Sequence, residues 1–338
     1  MSHCRILPPH ILDAIVRNGT PQQRRRALAT LAVSERLRGR REVLALSLAP
    51  VPAGMKRRTV YDAQHATRLP GVLVRGEGDP ESADAAVNEA YDGAGDTYDF
   101  YAEVYGRNSI DGRGMRIDST VHYGVQYDNA FWDGAQMVYG DGDGELFERF
   151  TRSVDVIGHE LTHGVTDSEA ALEYHDQPGA LNESLSDVFG SLVKQRVRKQ
   201  TAAEADWIIG EGLFTPRVRG VGLRSLKAPG SAYSDPILGN DPQPSHMSNY
   251  DRSPDENGGV HVNSGIPNHA FYLAAVAIGG FAWEKAGKIW YAAATERLRP
   301  RSDFAAAAKA TQAVAGELFG AGGAEQEAVQ EAWSQVGL

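Results

Sequence analysis

Within residues 155–190 of the 338-residue chain, His159 and His163 stand four apart, with Glu160 directly after the first. The same window holds a second acidic pair four apart, Glu183 and Asp187. On a helix, positions i and i+4 share one face a turn apart, so both imidazoles can reach a single ion. A solvated helix has no need of that arrangement, and a buried one is penalised for it unless the groups find partners. The chemistry it suits is that of zinc, since a catalytic zinc takes three protein ligands and keeps one position for water. With two ligands in hand the third must come from another element. Glu183, on a helix after the turn at Gln177-Pro178-Gly179, is the best candidate. Asp187 follows one turn later on the same face, placed to accept the free N–H of a liganding imidazole and fix its tautomer. Glu160 points beside the metal rather than at it, where a carboxylate can take the proton of an activated water.

The elements that must position these residues fall into three stretches. Helical periodicity marks 11–17 and 22–38, with Leu28, Leu31, Ala32 and Leu37 on one side and arginines on the other. VLALSLAP (43–50) reads as a short strand and APVPAG (49–54) as a linker, which places a boundary there. From 57 to about 154 the sequence is strand-like with many turns, in RRTVYDAQ, GVLVRGEG, STVHYGVQY and AQMVYGDGDG, interrupted by one helix over about 81–107. From there the pattern becomes helical, over 154–166, 179–200, 264–279, 283–296, 302–318 and 323–336. Strands followed by helices predict an α+β fold of two lobes, β-rich then mainly α-helical, with a cleft where they meet. The domains expected are 1–50, 51–154 and 155–338.

Bulk properties narrow the function classes. Hydrophobic residues make up 42% and charged residues 23%, as in soluble globular chains, and no apolar run approaches the length of a membrane span. The single cysteine, Cys4, excludes an internal disulfide framework. Pro8 and Pro9 stand where a signal peptide needs its apolar core. Residues 1–42 hold nine arginines against Asp13, Glu35 and Glu42, a net +6, while the chain as a whole carries −10. A basic tail suggests nucleic acid, but a patterned one can equally pair with the acidic body of its own chain. The latter is preferred, so no nucleic-acid or membrane partner is expected.

Other pieces are less specific by themselves. Asn257-Gly258-Gly259-Val260-His261-Val262-Asn263-Ser264-Gly265 is a turn leading into a helix, and a histidine there is more often structural than catalytic. Tyr174 and Arg224 are unremarkable alone, and Asn129-Ala130-Phe131-Trp132 reads as well as edge packing. Taken together in order and spacing, these pieces resemble the thermolysin-like zinc metalloendopeptidases from about residue 57 onward. His159-Glu160-x-x-His163 followed by Asn182-Glu183-x-x-x-Asp187 is similar to that family's zinc pattern. The resemblance implies zinc on His159, His163 and Glu183, with Glu160 as general base. It implies an edge strand at Asn129 and Ala130 that holds substrate in extended form, and His261 and Tyr174 as donors to the oxyanion. It makes Arg224 a ligand of a substrate carbonyl. Phe150, Val156, Ile209 and Leu223 would line the pocket for the residue after the scissile bond, which predicts preference for an apolar residue there.

Within the family, Pro8-Pro9-x-Ile11-Leu12 looks like the protealysin branch, as do GEGLFTP (210–216), LRSLKAPG (223–230) and NDPQPSHM (240–247). That likeness implies that residues 1–50 are an autoinhibitory prosegment, cut in the 49–54 linker. It also implies protein or peptide substrates and a small cognate proteinaceous inhibitor as partners. A monomer is expected, secreted without a recognisable signal peptide, with a cytoplasmic location as the alternative. A sharper form of latency has the Cys4 thiolate ligate the zinc. Two positions depart from the family. Its aspartate five residues before the oxyanion histidine is Glu256 here, whose longer arm can make the same hydrogen bond to His261. Its double calcium site needs a glutamate where this chain has Lys194, an ammonium that would repel calcium and neutralise Asp155, Asp206 and Glu211. The competing readings are a zinc-containing scaffold without turnover and, from the basic tail, a nucleic-acid binder.

Overall fold

The structure, a computed structural model, describes residues 5–37 and 54–338. Cys4, the strand expected at 43–50 and the linker up to residue 53 lie outside the described residues. Two helices form the N-terminal segment, α1 (Pro9–Asn18) and α2 (Pro21–Leu37). Pro9 opens α1 at the position where its missing N–H costs nothing and its fixed φ suits a helix.

A five-stranded sheet follows, built from β1 (Arg58–Asp62), β2 (Val72–Gly76), β3 (Ile117–Val121), β4 (Ala130–Trp132) and β5 (Gln136–Tyr139). Its order is β2-β1-β3-β5-β4, with β1–β3 and β3–β5 parallel and the outer pairs antiparallel. The long helix α3 (Ala85–Tyr105) packs on this sheet. Asp84 caps its start, accepting from the Ala86 N–H at 2.9 Å, and Gly106 ends it in the left-handed conformation. The sheet order leaves β4 as an edge, with its outer backbone groups facing the cleft.

The second lobe holds α4 (Val154–Ser168), α5 (Asp176–Arg198), α6 (Asp255–Asn263), α7 (Gly265–Ile278), α8 (Ala286–Ala292), α9 (Phe304–Phe319) and α10 (Ala324–Gln335). The helix expected over 283–296 begins at Ala286 instead and passes into a wide π turn over Ala293–Arg297. α4 and α5 pack face to face, and two glycines set how closely. A Cβ on Gly158 would lie 3.1 Å from the Gly190 Cα, and one on Gly190 would lie 2.5 Å from the Asp155 carbonyl oxygen. Contact this close brings the imidazoles of α4 to the carboxylates of α5. The hydrophobic core runs through both lobes and takes in Ile6, Leu7, Ile11, Leu12, Ile15 and Ala27 of the N-terminal segment. Among the described residues, no helix is long and apolar enough to cross a membrane.

Candidate active site

α4 carries His159, Glu160 and His163 and is buried from Asp155 to Thr166. Each imidazole spends its Nδ1 on an outward partner. His159 Nδ1 lies 2.8 Å from Asp187 Oδ1, and His163 Nδ1 lies 2.8 Å from Asn182 Oδ1 and 3.0 Å from Ser186 Oγ. With Nδ1–H donating to these oxygens, both Nε2 lone pairs point inward, and they face each other at 3.0 Å. Glu183 brings a carboxylate to the same point, its Oε2 3.5 Å from His159 Nε2 and its Oε1 3.6 Å from His163 Nε2. Its Oε2 is buried and accepts no hydrogen bond. Two lone pairs and an orphaned carboxylate oxygen cannot satisfy one another, because none brings a proton. The donor set of His159, His163 and Glu183, all within 4.8 Å, fits a divalent zinc ion.

Asp187 is completely buried and has four hydrogen bonds. Besides His159 it accepts from Arg224 Nε and Nη2, both at 2.8 Å, and from Asn268 Nδ2 at 2.9 Å. Burial alone would raise its pKa, but the Arg224 guanidinium and the His159 hydrogen bond outweigh it and hold the carboxyl well below the usual range. The residue was read from the sequence as a partner of the imidazole. The structure adds that it joins the metal-binding helix to Arg224. Neither Asn268 nor the support of His163 by Asn182 and Ser186 was anticipated. Asn182 and Ser186 lie within the motif window, but Asn268 sits on α7 with no local signal.

Glu160 Oε2 accepts the Trp132 N–H at 2.9 Å, so the expected general base is anchored to β4. The Tyr174 hydroxyl donates to Glu183 Oε1 and lies 3.2 Å from His261 Nε2. Phe150, Val156, Ile209 and Leu223 are all at most 1% exposed. Thus Glu160, Tyr174 and His261 gather around the three metal-ligand candidates, and Arg224 stands behind them on Asp187.

The N-terminal segment runs through the middle of this arrangement. Arg5 lies opposite Phe131 in an antiparallel bridge, and the Ile6 N–H donates to the Ala130 carbonyl at 3.3 Å. The Leu7 N–H donates to Asn129 Oδ1 at 3.0 Å, and Asn129 Nδ2 returns a bond to the Leu7 carbonyl at 3.3 Å. Arg224 Nη1 donates to the Ile6 carbonyl at 2.9 Å, and the Arg5 carbonyl lies 3.2 Å from His261 Nε2.

Two expectations about neighbouring acids need correction in part. Glu256 does face His261, its Oε2 3.4 Å from His261 Nδ1 at ion-pair length, but the two atoms do not meet in hydrogen-bond geometry. Its other oxygen accepts the His10 backbone N–H at 2.6 Å and lies 3.0 Å from His10 Nδ1. Glu256 also starts a run of four left-handed residues, 256–259, which makes the first half of α6 a turn rather than a helix. Against burial, which raises it, His10 and His261 lower the Glu256 pKa far below its ordinary value. The second correction concerns the acidic cluster. Lys194 Nζ does pair with Asp155 at 3.0 Å and Asp206 at 2.7 Å, but Glu211 is paired with Arg198 at 2.6 Å instead.

Residues 54–167 match the model of the thermolysin metallopeptidase catalytic domain, and residues 170–338 match that of the thermolysin metallopeptidase alpha-helical domain. The chain is 50% identical over 336 residues to an extracellular metalloprotease of Pectobacterium carotovorum subsp. carotovorum, covering 99% of this chain and 96% of that one. A thermolysin of Alicyclobacillus acidocaldarius subsp. acidocaldarius is 43% identical over 288 residues, covering 82% of this chain and 50% of that relative. Among solved structures, the precursor of protealysin, a metalloproteinase from Serratia proteamaculans, superposes with a TM-score of 0.92 at 51% identity, covering 99% of each chain. Zinc is the metal that this kinship implies, and the two imidazoles and orphaned carboxylate are a donor set that suits it. A chain matched by both thermolysin models, and half identical to such relatives along nearly all its length, belongs to the thermolysin family of metalloproteases, which hydrolyse peptide bonds.

Proposed function

We propose that the chain is the latent precursor of a zinc-dependent neutral endopeptidase that cuts before apolar residues, with residues 1–50 as its inhibitory prosegment. The lobes of the enzyme are then 51–154 and 155–338. The observation that carries this reading is the position of residues 5–7, whose backbone groups are taken in turn by His261, Ala130, Arg224 and Asn129. Addition to a sheet edge is how an extended peptide is held by its main chain, and an inhibitor in that position excludes substrate.

In the reaction, a substrate lies along β4 as residues 5–7 do, its main chain fixed by Ala130 and Asn129 and one carbonyl by Arg224. Zinc, when bound, supplies Lewis-acid polarisation and a water that deprotonates near neutral pH. Glu160, held by the Trp132 N–H, takes the water's proton and passes it to the leaving nitrogen. His261 and Tyr174 donate to the oxygen on which charge develops. Phe150, Val156, Ile209 and Leu223 give the following residue an apolar, dry surround. Asp187 keeps His159 in the tautomer that leaves Nε2 free for metal.

Lys194, with Asp155 and Asp206 as partners, supports a site that does without the double calcium ions, since an ammonium and a divalent cation cannot share those carboxylates cheaply. The name of the Pectobacterium relative supports an extracellular location. Once the prosegment has gone, the same strand edge suits a small proteinaceous inhibitor. We take the enzyme to be a monomer.

Casein hydrolysis by processed wild-type protein, abolished in Glu160→Ala, tests the activity. Latency is tested by hydroxamate affinity in the Glu160→Ala background, comparing intact protein with a form cut after residue 50. Tighter binding to the cut form is expected, and equal affinity would refute blockage of the cleft.

A further inference from the structure

The N-terminal segment does more than cover the cleft: it lies there in the polarity and register of a substrate. Between residues 5 and 7 there are three carbonyls. Arg224 holds that of Ile6 at 2.9 Å and Asn129 holds that of Leu7 at 3.3 Å. The remaining one, of Arg5, lies 3.2 Å from His261 Nε2, the atom that donates to the developing oxyanion in the reading above. The amide that follows this carbonyl, the Ile6 N–H, is held by Ala130, two residues before the Trp132 N–H that anchors the general base. The side chain after the bond is an isoleucine with no exposed surface, as preference for an apolar residue there requires. A segment that merely obstructed the cleft would need neither the carbonyl at His261 nor the apolar residue behind it.

We infer that the Arg5–Ile6 peptide bond is a cleavage site of this enzyme, hydrolysed within its own chain, distinct from and earlier than any cut in the linker at 49–54. This rests on the endopeptidase reading above. A water oxygen bonds to the Arg5 carbonyl carbon, and the bond from that carbon to the Ile6 nitrogen breaks. Both protons of the water end on the Ile6 nitrogen, the first carried by Glu160 as the bond breaks and the second leaving the new carboxylic acid. The products are a carboxylate on Arg5 and an ammonium on Ile6, with no oxidation or reduction.

The segment that remains does not leave. Ile6, Leu7, Ile11, Leu12, Ile15 and Ala27 are buried in the core of the lobes. Arg26 pairs with Glu145 at 3.1 Å, and His10 stays on Glu256. The trimmed chain is therefore a product complex, latent still, with a new N-terminus in the site. Latency and cleavage at Arg5 are compatible because the apolar face from Ile6 to Ala27 lies entirely on the side of the bond that stays docked.

The test is to incubate the full chain with zinc in oxygen-18 water and follow its intact mass. A chain starting at Ile6 is expected, together with a released piece ending in Arg5 that carries one oxygen-18 in its carboxylate. The rate should be independent of protein concentration, and the cut absent in Glu160→Gln. Ile6→Asp, which puts a charge into the apolar surround, should slow the cut about 10²-fold. The register has a readout that needs no turnover: in metal-free Glu160→Gln, the Ile6 and Leu7 amides should resist hydrogen exchange. Unprotected amides would overturn the register, and a rate that rises with concentration would overturn cleavage within the chain. Wild-type protein that becomes active on casein with Arg5–Ile6 intact would overturn this inference and leave the endopeptidase reading standing. Zinc-loaded protein that never hydrolyses casein would refute both.

Discussion

On one side of the Asp187 carboxylate is the imidazole that should bind metal, and on the other the guanidinium that should bind substrate. Three of its four hydrogen bonds come from Arg224 and Asn268, so the group that fixes His159 is itself fixed by two further segments of the same lobe. Asparagine at this position keeps the volume but puts an amide donor where a guanidinium also donates, and it leaves the buried Arg224 charge unpaired. Asp187→Asn is therefore expected to weaken zinc binding by 10–100-fold in a chelator competition. It should also cost about 3–5 kcal/mol of folding stability, read from denaturant midpoints. Unchanged values for both would refute the coupling. Asp187 was legible because its spacing from Glu183 repeats that of the two histidines. Asn268 was not, since a lone asparagine on an apolar helix has no pattern that distinguishes it from a surface amide.

At the scale of elements, α4 and α5 position the site by their closeness, and Gly190 is the point of contact. Its Cβ-free surface meets the Asp155 carbonyl and the His159 backbone nitrogen at distances no side chain tolerates. Gly190→Ala is expected to lower stability by about 1–3 kcal/mol and to reduce zinc content, because the helices must part to admit the methyl group. Full zinc occupancy with an unchanged melting temperature would contradict this. The sheet is joined to α3 by an ionic contact of another kind. His122, just past β3, lies 2.8 Å from both Asp141 and Asp84, and Asp84 is the residue that caps α3. Hydrogen bonding to Asp141, against the opposing effect of burial, leads the shift that raises the imidazole pKa to about 9. A raised pKa in the folded state means stability that is fully present below the unfolded value near 6.5 and lost as pH rises through about 9. The stability difference between wild type and His122→Gln should accordingly be largest near pH 6 and shrink above pH 9, and a difference independent of pH would rule out the ionic contribution. His65 and Asp141, the latter 3.4 Å from His65 Nδ1, also face this site. The helices were legible from their 3.6-residue period. The turn at 257–259 was legible from its glycines, but its left-handed start at Glu256 and the π turn after α8 were not, because Glu256 is tied to His10 far away in the chain and a widened turn leaves the apolar period intact.

For the molecule as a whole, the acidic cluster at Lys194 carries its own cation, bound covalently to α5. Stability should therefore respond little to calcium. A rise in melting temperature of more than about 10 °C on adding millimolar calcium would require a well-formed site and contradict this. The other whole-molecule feature is the distance along the chain that the N-terminal segment spans to reach its place: Arg5 meets His261 across 256 residues. The parts of the site lie at 129–132, 159–163, 183, 224 and 261, so it cannot assemble before more than three quarters of the chain has been made. By then its occupant, synthesised earlier, has been waiting on the same molecule at the high local concentration a tether provides. The order of synthesis thus leaves no interval in which a finished site meets other proteins before it meets residues 5–7 of its own chain. If that segment inhibits as proposed, a cell making this chain is protected by chronology as much as by affinity.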